Sequence, residues 1–281
     1  MDGDVTIIEP PGTAVAIDFQ ELWRHRELFW FLAWRDFRVR YKQTALGMSW
    51  AVVAPVVTAL SFAFLFGYLG RLPTDGLPAA IYYLSGLTIW RCFSTALGSA
   101  TNSLVANSAL VTKVYVPRLI LPAAAVVTRL IDFAIALGVL LGAMLLFSVV
   151  PAMTFLLAPA FALLALLTAF AVSLFASALN VHYRDVGQAL PFVSQLWMFL
   201  SVLIPFSRLP ESWGTMRYFY GLNPMGGIVE GFRWAVAHQA MNDGVEAPWT
   251  LLLIGTMVTV VLLLAGLWVF RRLERQFADM A

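Results

Sequence analysis

From Leu22 to Lys42 apolar and charged positions recur with a helical period. At 100° per residue, Leu22, Trp23, Phe29, Trp30, Ala33, Trp34, Phe37 and Tyr41 fall on one stripe, and Glu27, Arg35, Arg38 and Lys42 fall opposite. An aromatic face backed by a basic one predicts an amphipathic helix lying in a membrane interface, rings toward the acyl chains and cations toward the headgroups. Three residues break the pattern: Phe31 lands among the polar positions, and Arg26 and Arg40 among the apolar ones. Arginine stems are long enough to carry the charge back to the headgroups. The helix is placed at 21–44, after a tail of residues 1–20. On its wheel alone, the segment reads equally as a plain basic anchor ahead of a first span.

Beyond it the pattern changes to long apolar runs. A crossing helix needs about 20 apolar residues. Six runs qualify, at about 48–69, 79–100, 122–149, 153–179, 189–205 and 249–270, within a domain of 45–275. None alternates over ten residues, which excludes a β-barrel. The predicted fold is therefore all-α, an integral membrane protein with six transmembrane helices. Basic residues orient it. Arg24, Arg26, Arg35, Arg38, Arg40, Lys42, Lys113, Arg118, Arg184, Arg271, Arg272 and Arg275 fall on one side, and Arg71, Arg208, Arg217 and Arg233 on the other. The richer side is cytosolic, so both termini are expected there. Met1–Pro11 is acidic, lacks a basic n-region and an apolar h-region, and reads as a cytosolic tail rather than a signal peptide.

Composition agrees with the pattern. The chain is 60% hydrophobic and 12% charged, whereas soluble domains carry about 25% charged residues. A net charge of +2 implies no nucleic-acid partner. Cys92 is the single cysteine, so no internal disulfide forms.

Three connections carry information. The first, about 101–121, is half apolar; Leu104 to Arg118 holds one short helix stopped by Pro117. A free linker would be polar, so this segment is expected to be covered. The second is Asn180-Val181-His182-Tyr183-Arg184-Asp185-Val186; as a bland alternative, Arg184 and Asp185 simply end two spans in headgroups. The third, about 206–248, is rich in Trp, Tyr, Phe and Met yet broken at Gly221 and Asn223-Pro224. It predicts two short helices, about 211–221 and 225–238, apolar but too short to span, and so re-entrant or interfacial. Glu230 and Arg233 stand at i, i+3 on the second and are placed to pair. A periplasmic cap with no gating role is the alternative.

Catalytic chemistry is missing. No G-x-x-x-x-G-K-[ST] occurs, so the chain has no P-loop for nucleotide phosphates. No His, Cys and carboxylate residues stand at metal-ligand spacing, and no G-x-S-x-G elbow is present. Charges within the spans are another matter, because intramembrane charges are costly and mark function by default. Arg129 and Asp132 form an i, i+3 pair in the third span. Arg91, in the second span, has no local partner; it either meets Asp132 across helices or faces a watery path and an anionic substrate. The aromatics of the first two spans belong to interface belts or packing unless they line a channel.

The string Leu32-Ala33-Trp34-Arg35-Asp36-Phe37-Arg38-Val39-Arg40-Tyr41-Lys42-Gln43-Thr44, followed by Leu46-Gly47 and Trp50, closely resembles the start of the type-2 ABC exporter permeases of bacterial polysaccharides, the Wzm-like and teichoic-acid-exporter membrane subunits. Leu222-Asn223-Pro224-Met225 with Glu230-Gly231-Phe232-Arg233 matches the same family, and the likeness runs from about Leu22 to about Arg272. Ser201-Val202 departs from the Ser-Pro of many members, which puts a local kink in doubt. The resemblance implies a homodimer that moves a lipid-linked polysaccharide (O antigen, galactan or a teichoic-acid-like polymer) across the inner membrane. It implies two copies of a separate ATPase that bind the ATP and magnesium; this chain itself binds no cofactor. It assigns the interface helix to Trp34, Arg35, Asp36, Arg38, Arg40, Tyr41 and Lys42. ATPase coupling falls to Asn107, Lys113, Tyr115, Pro117, Arg118, Tyr183, Arg184 and Asp185. An outer gate is assigned to Asn223, Pro224, Glu230 and Arg233. Because a ring face stacks on a sugar, Phe62, Phe66, Tyr82 and Trp90 join Arg91 as channel candidates. The other readings are export of a drug or small lipid by the same fold, and a membrane transferase using Glu230 and Arg233.

Overall fold

The structure, a computed structural model, describes residues 19–42, 49–113, 116–203, 205–206, 211–242 and 245–274. The tail before Phe19, Tyr115, and the side chains of Tyr41 and Lys42 lie outside that description. Among the described residues all regular structure is helical, with α1 Phe19–Arg24, α2 Arg26–Lys42, α3 Ser49–Phe62, α4 Ala79–Ala106, α5 Ser108–Lys113, α6 Ile120–Val127, α7 Arg129–Leu146, α8 Ala158–His182, α9 Asp185–Val202, α10 Pro224–Ala237 and α11 Trp249–Glu274.

Four stretches are long and apolar enough to cross a membrane: Val52–Leu69, Ile120–Leu146, Met153–His182 and Trp249–Glu274. Two of the six predicted runs behave differently. α4 has 28 residues and α9 has 18, but both carry more polar side chains. The reason for α4 is its place in the fold. It is the central helix, packed by α3, α6, α7, α8, α9 and α10, and every residue from Ile81 to Trp90 is buried. A helix wrapped by protein is not selected for lipid solubility and can hold Ser85, Thr88 and Thr101 in its buried faces.

Boundaries shift for local reasons. The first run ends in a π-helical turn, Ala63–Leu69, after α3. The third run breaks at Thr128, whose hydroxyl bonds back to Ala125 O at 2.8 Å, a local competitor to the helix ladder. The expected 101–121 loop begins only at Asn107, because α4 continues through Ala106; its short helix is α5. In the 206–248 connection the first short helix is 3-10 rather than α, Glu211–Leu222, with non-helical backbone at Gly214. The second is α10, capped by Asn223, whose side chain accepts from Met225 N–H, with Pro224 at N1.

The stripe predicted for α2 splits in two. Leu32 and Ala33 are buried, and Leu22, Leu28 and Phe29 pack beside them against α6, Leu174, Ala178 and Phe270. Trp23, Trp30, Phe31 and Trp34 point outward. Arg26 lies 5.5 Å from the centre of the Trp23 ring and Arg38 5.4 Å from that of Trp34, so cations and rings share the outer face.

Candidate functional site

Polar side chains gather at three levels along α4. At the α2 end, Arg35 Nη2 donates to Asn107 Oδ1 at 2.7 Å while holding Asp36 at 2.9 Å. Asn107 is the residue after α4, and its amide donates to Ser103 O at 2.8 Å. α2 is thereby tied to the α4–α5 turn. Arg40 reaches Asp132 of α7, which also pairs with Arg129 at 3.1 Å; Arg129 in turn donates to Ser99 of α4. The i, i+3 pair thus has a third member. Arg40 sits on the apolar side of the wheel because its partner lies in the bundle, and snorkelling is not its role. Among the described residues Asp132 pairs with Arg40 and Arg129, and no ion pair joins it to Arg91.

The α8–α9 turn is fastened at the same end. Asn180 is 2% exposed; its amide donates to Thr101 O at 3.3 Å and Asn102 Oδ1 at 3.2 Å, and its Oδ1 accepts from Gly187 N–H at 2.8 Å. A Cβ on Gly187 would lie 2.6 Å from Asn102 Oδ1 and 2.9 Å from Asn180 Oδ1. Gly187→Ala is expected to destabilise the protein by about 1–3 kcal/mol, whereas Gly142→Ala, in open space on α7, should be neutral or slightly stabilising. Thermal unfolding of both variants in detergent checks this; equal melting would refute it. Tyr183, Arg184 and Asp185 are exposed at the turn. Lys113 is exposed at the end of α5, and Pro117 and Arg118 precede α6, with Arg118 Nη1 donating to Glu274 O.

Midway, a cavity of about 320 Å³ opens between α3, α4 and α9. α4 contributes Leu87, Trp90, Arg91, Ser94, Thr95, Gly98 and Asn102, at the i, i+3, i+4 spacing of one helical face. α9 adds Gly187, Leu190, Pro191, Ser194, Gln195 and Met198 with the same repeat, and α3 adds Pro55 and Thr58. Arg91 is exposed on this wall, and no ion pair involves it among the described residues. Of the channel candidates, Trp90 and Arg91 line the cavity. Phe62 and Phe66 pack instead with Tyr83 and Phe199, with Phe62 6.3 Å from Phe199 and 6.1 Å from Tyr83. Tyr82 is buried elsewhere.

That place is the third level, at the far end. Arg233 is 0% exposed. Its Nη1 donates to Glu230 Oε1 at 2.9 Å and Tyr82 Oη at 3.0 Å, its Nη2 to Val202 O at 3.2 Å, and its guanidinium lies 3.7 Å from the Tyr82 ring centre. One side chain joins α10, α4 and α9. Gly86 makes room, since a Cβ there would meet Arg233 Nη2 at 2.7 Å. α10, at 14 residues, is too short to cross a bilayer; burial pushes the Glu230 carboxyl above its usual range, and Arg233 opposes that rise. Asn223 extends the network: it accepts from Trp197 Nε1 at 2.7 Å and donates to Ser201 Oγ at 2.8 Å. Trp197 packs 6.0 Å from Trp90 on the cavity wall.

Sequence reading passed over Asn180, Gly187, Ser94, Thr95, Ser194 and Gln195. For the cavity the signal was present: polar residues at i, i+3, i+4 and i+7 inside otherwise apolar spans. For Asn180 and Gly187 the signal was weak: they bond each other across the α8–α9 turn, but Asn180's other partners, Thr101 and Asn102, lie on α4.

A central buried helix, apolar helices long enough to cross a membrane around it, a cleft with polar groups set into its wall and no nucleotide-binding motif describe a membrane transport subunit. Residues 27–236 match the ABC-2 type transporter family, and the chain belongs to that family. It is 28% identical over 261 residues to the O-antigen export system permease protein RfbA of Myxococcus xanthus, covering 92% of this chain and 97% of that one. It is 24% identical to the RfbA permease protein of Klebsiella pneumoniae over 87% of this chain and 91% of the relative. It is likewise 24% identical to the polysialic acid transport protein KpsM of Escherichia coli, over 85% and 91%.

Proposed function

We propose that this chain is the membrane subunit of an ATP-driven exporter that moves a lipid-linked polysaccharide across the inner membrane. It acts as a homodimer on two copies of a separate ATPase. The cleft carries this reading. From Leu87 to Asn102 it follows α4 for about 22 Å at 1.5 Å per residue, most of a hydrocarbon core of about 30 Å. Its wall is mostly apolar, from Pro55, Leu87, Trp90, Leu190, Pro191 and Met198, with hydroxyls, amides and one guanidinium set into it, and it lies open on the outside of a single copy. A guanidinium and a row of hydroxyls and amides facing lipid are unfavourable. A second copy laid against α3 and α9 turns it into an enclosed path, and the exposed Val57, Leu60, Phe192, Leu196 and Leu200 supply the apolar rim. A drug or small lipid would not need a path so long. The relatives that cover nearly the whole chain are named for O-antigen export and polysialic acid transport.

In this reading α4 and α9 join the four apolar stretches to give six spans, with both termini cytosolic. α2 is the interface helix, and its outward tryptophans and arginines meet lipid headgroups. α5 and the α8–α9 turn meet the ATPase. The 3-10 segment and α10 form the re-entrant outer gate.

Affinity purification of the tagged chain from its native membrane tests the assembly. An ATPase in about equal amount is the expected result, with ATP hydrolysis by the complex and none by the chain alone. A dimeric preparation from which every ATPase is missing would overturn the reading.

A further inference from the structure

Among the described residues that line the cleft, Arg91 is the one charge, and none is an aspartate or glutamate. It sits near the middle of α4, one residue after Trp90, which is only 4% exposed, and one before Cys92, at 2%. The helix is therefore packed on both flanks, and the guanidinium is turned toward the cavity. Neutral polar groups flank it: Ser94 and Thr95 on α4, Ser194 and Gln195 on α9. The Thr95 hydroxyl donates to the backbone carbonyl of Arg91 at 2.7 Å and so does not engage the guanidinium; the Arg91 side chain is exposed at the cavity, and among the described residues no ion pair holds it. A packed helix with a single outward cation in a conduit is costly unless the conduit is wet or something anionic visits it. The guanidinium fork matches the two oxygens of a carboxylate or phosphate, and a planar donor set of this kind selects them over neutral sugars.

We propose that Arg91 is a specificity-determining residue that contacts an acidic group of the cargo, a phosphate or a carboxylate, as it passes the cleft. The proposal rests on the export reading given above. Two sources share this chemistry: a diphosphate joining the sugar chain to its lipid, and acidic sugars within the polymer. Neutral sugar units slide past the hydroxyls and amides, and the acidic group is registered at one position.

The test uses the full chain in lipid nanodiscs and three probes: a polyprenyl diphosphate disaccharide, the same disaccharide on an uncharged polyprenyl glycoside, and a lipid-free oligogalacturonate. In the wild type at least one acidic probe is expected to bind about tenfold more tightly than the neutral one, the size of a charge-assisted contact. Arg91→Gln should erase that margin and leave neutral binding unchanged; Arg91→Lys should keep part of it. Loss for the diphosphate probe identifies the lipid linkage, and loss for the oligogalacturonate identifies acidic sugars. No acidic preference in the wild type, or an unchanged preference in Arg91→Gln, overturns the proposal. Gene deletion separates the two readings. If surface polymer persists in the deletion strain, export itself is refuted. If polymer is lost and Arg91→Gln restores it fully, only the assignment of Arg91 fails.

Discussion

Arg233→Met is expected to lower the stability of the folded protein by about 3–5 kcal/mol, the cost of leaving one half of a buried ion pair uncompensated. The size follows from where the side chain sits. Arg233 is fully buried, and its removal takes a donor from Glu230, the Tyr82 hydroxyl and the Val202 carbonyl together, leaving the Glu230 carboxylate its backbone bond from Phe206 but no cation. It also removes a cation–π contact at 3.7 Å, which is worth about 2 kcal/mol when desolvated. Thermal unfolding in detergent reads the loss. The double replacement Arg233→Met with Glu230→Leu should recover much of it, because an apolar pair of similar volume carries no desolvation penalty. A single variant that melts with the wild type, or a double variant no better than the single, would remove the network from the account of how α10 is held.

Asp132→Asn is the second large effect. One carboxylate neutralises Arg40 of α2 and Arg129 of α7. The amide leaves two guanidiniums near one another with no anion between them. α2 is otherwise held by Leu32, Ala33, their apolar neighbours and the Arg35–Asn107 bond, so loss of Arg40's anchor should loosen the whole helix. Bonds to a charged group are worth about 1.5–3 kcal/mol. Amide hydrogen exchange across 32–40 should therefore speed up by at least about tenfold, since each factor of ten is about 1.4 kcal/mol. ATPase recovered on co-purification should fall in parallel. Faster exchange confined to α7 would show that Asp132 serves its own helix alone.

These two sites show what local spacing in a sequence reveals. Glu230 with Arg233, and Arg129 with Asp132, were legible because their partners stand three residues apart on one helix. Asn223-Pro224 was legible as a helix start because cap chemistry is local. Long-range partners left no such trace: Arg35 and Asn107 are 72 residues apart, Arg40 and Asp132 are 92, and Arg233 and Tyr82 are 151. The α2 wheel shows the same limit. Periodicity identified an amphipathic helix, but it could not say that Phe29 and Ala33 face protein while Trp30 and Trp34 face out. That division depends on α6 and α8, which arrive from elsewhere in the chain. α4 was read as one span among six, and its more polar composition sets it apart; that it stands at the centre of the fold depends on the helices packed around it, which no local pattern reveals.

α4 has a mechanical consequence. It runs without a proline from Tyr82, under the Arg233 network, to Asn107, bonded to α2. Those ends are about 38 Å apart at 1.5 Å per residue. A continuous helix of that length, moving as a unit, is a lever. A tilt of 5° about its middle would displace each end by about 1.6 Å, more than a hydrogen bond survives. A push on Asn107 would therefore unlatch Tyr82 from Arg233 in the same movement, with no relay of side chains in between.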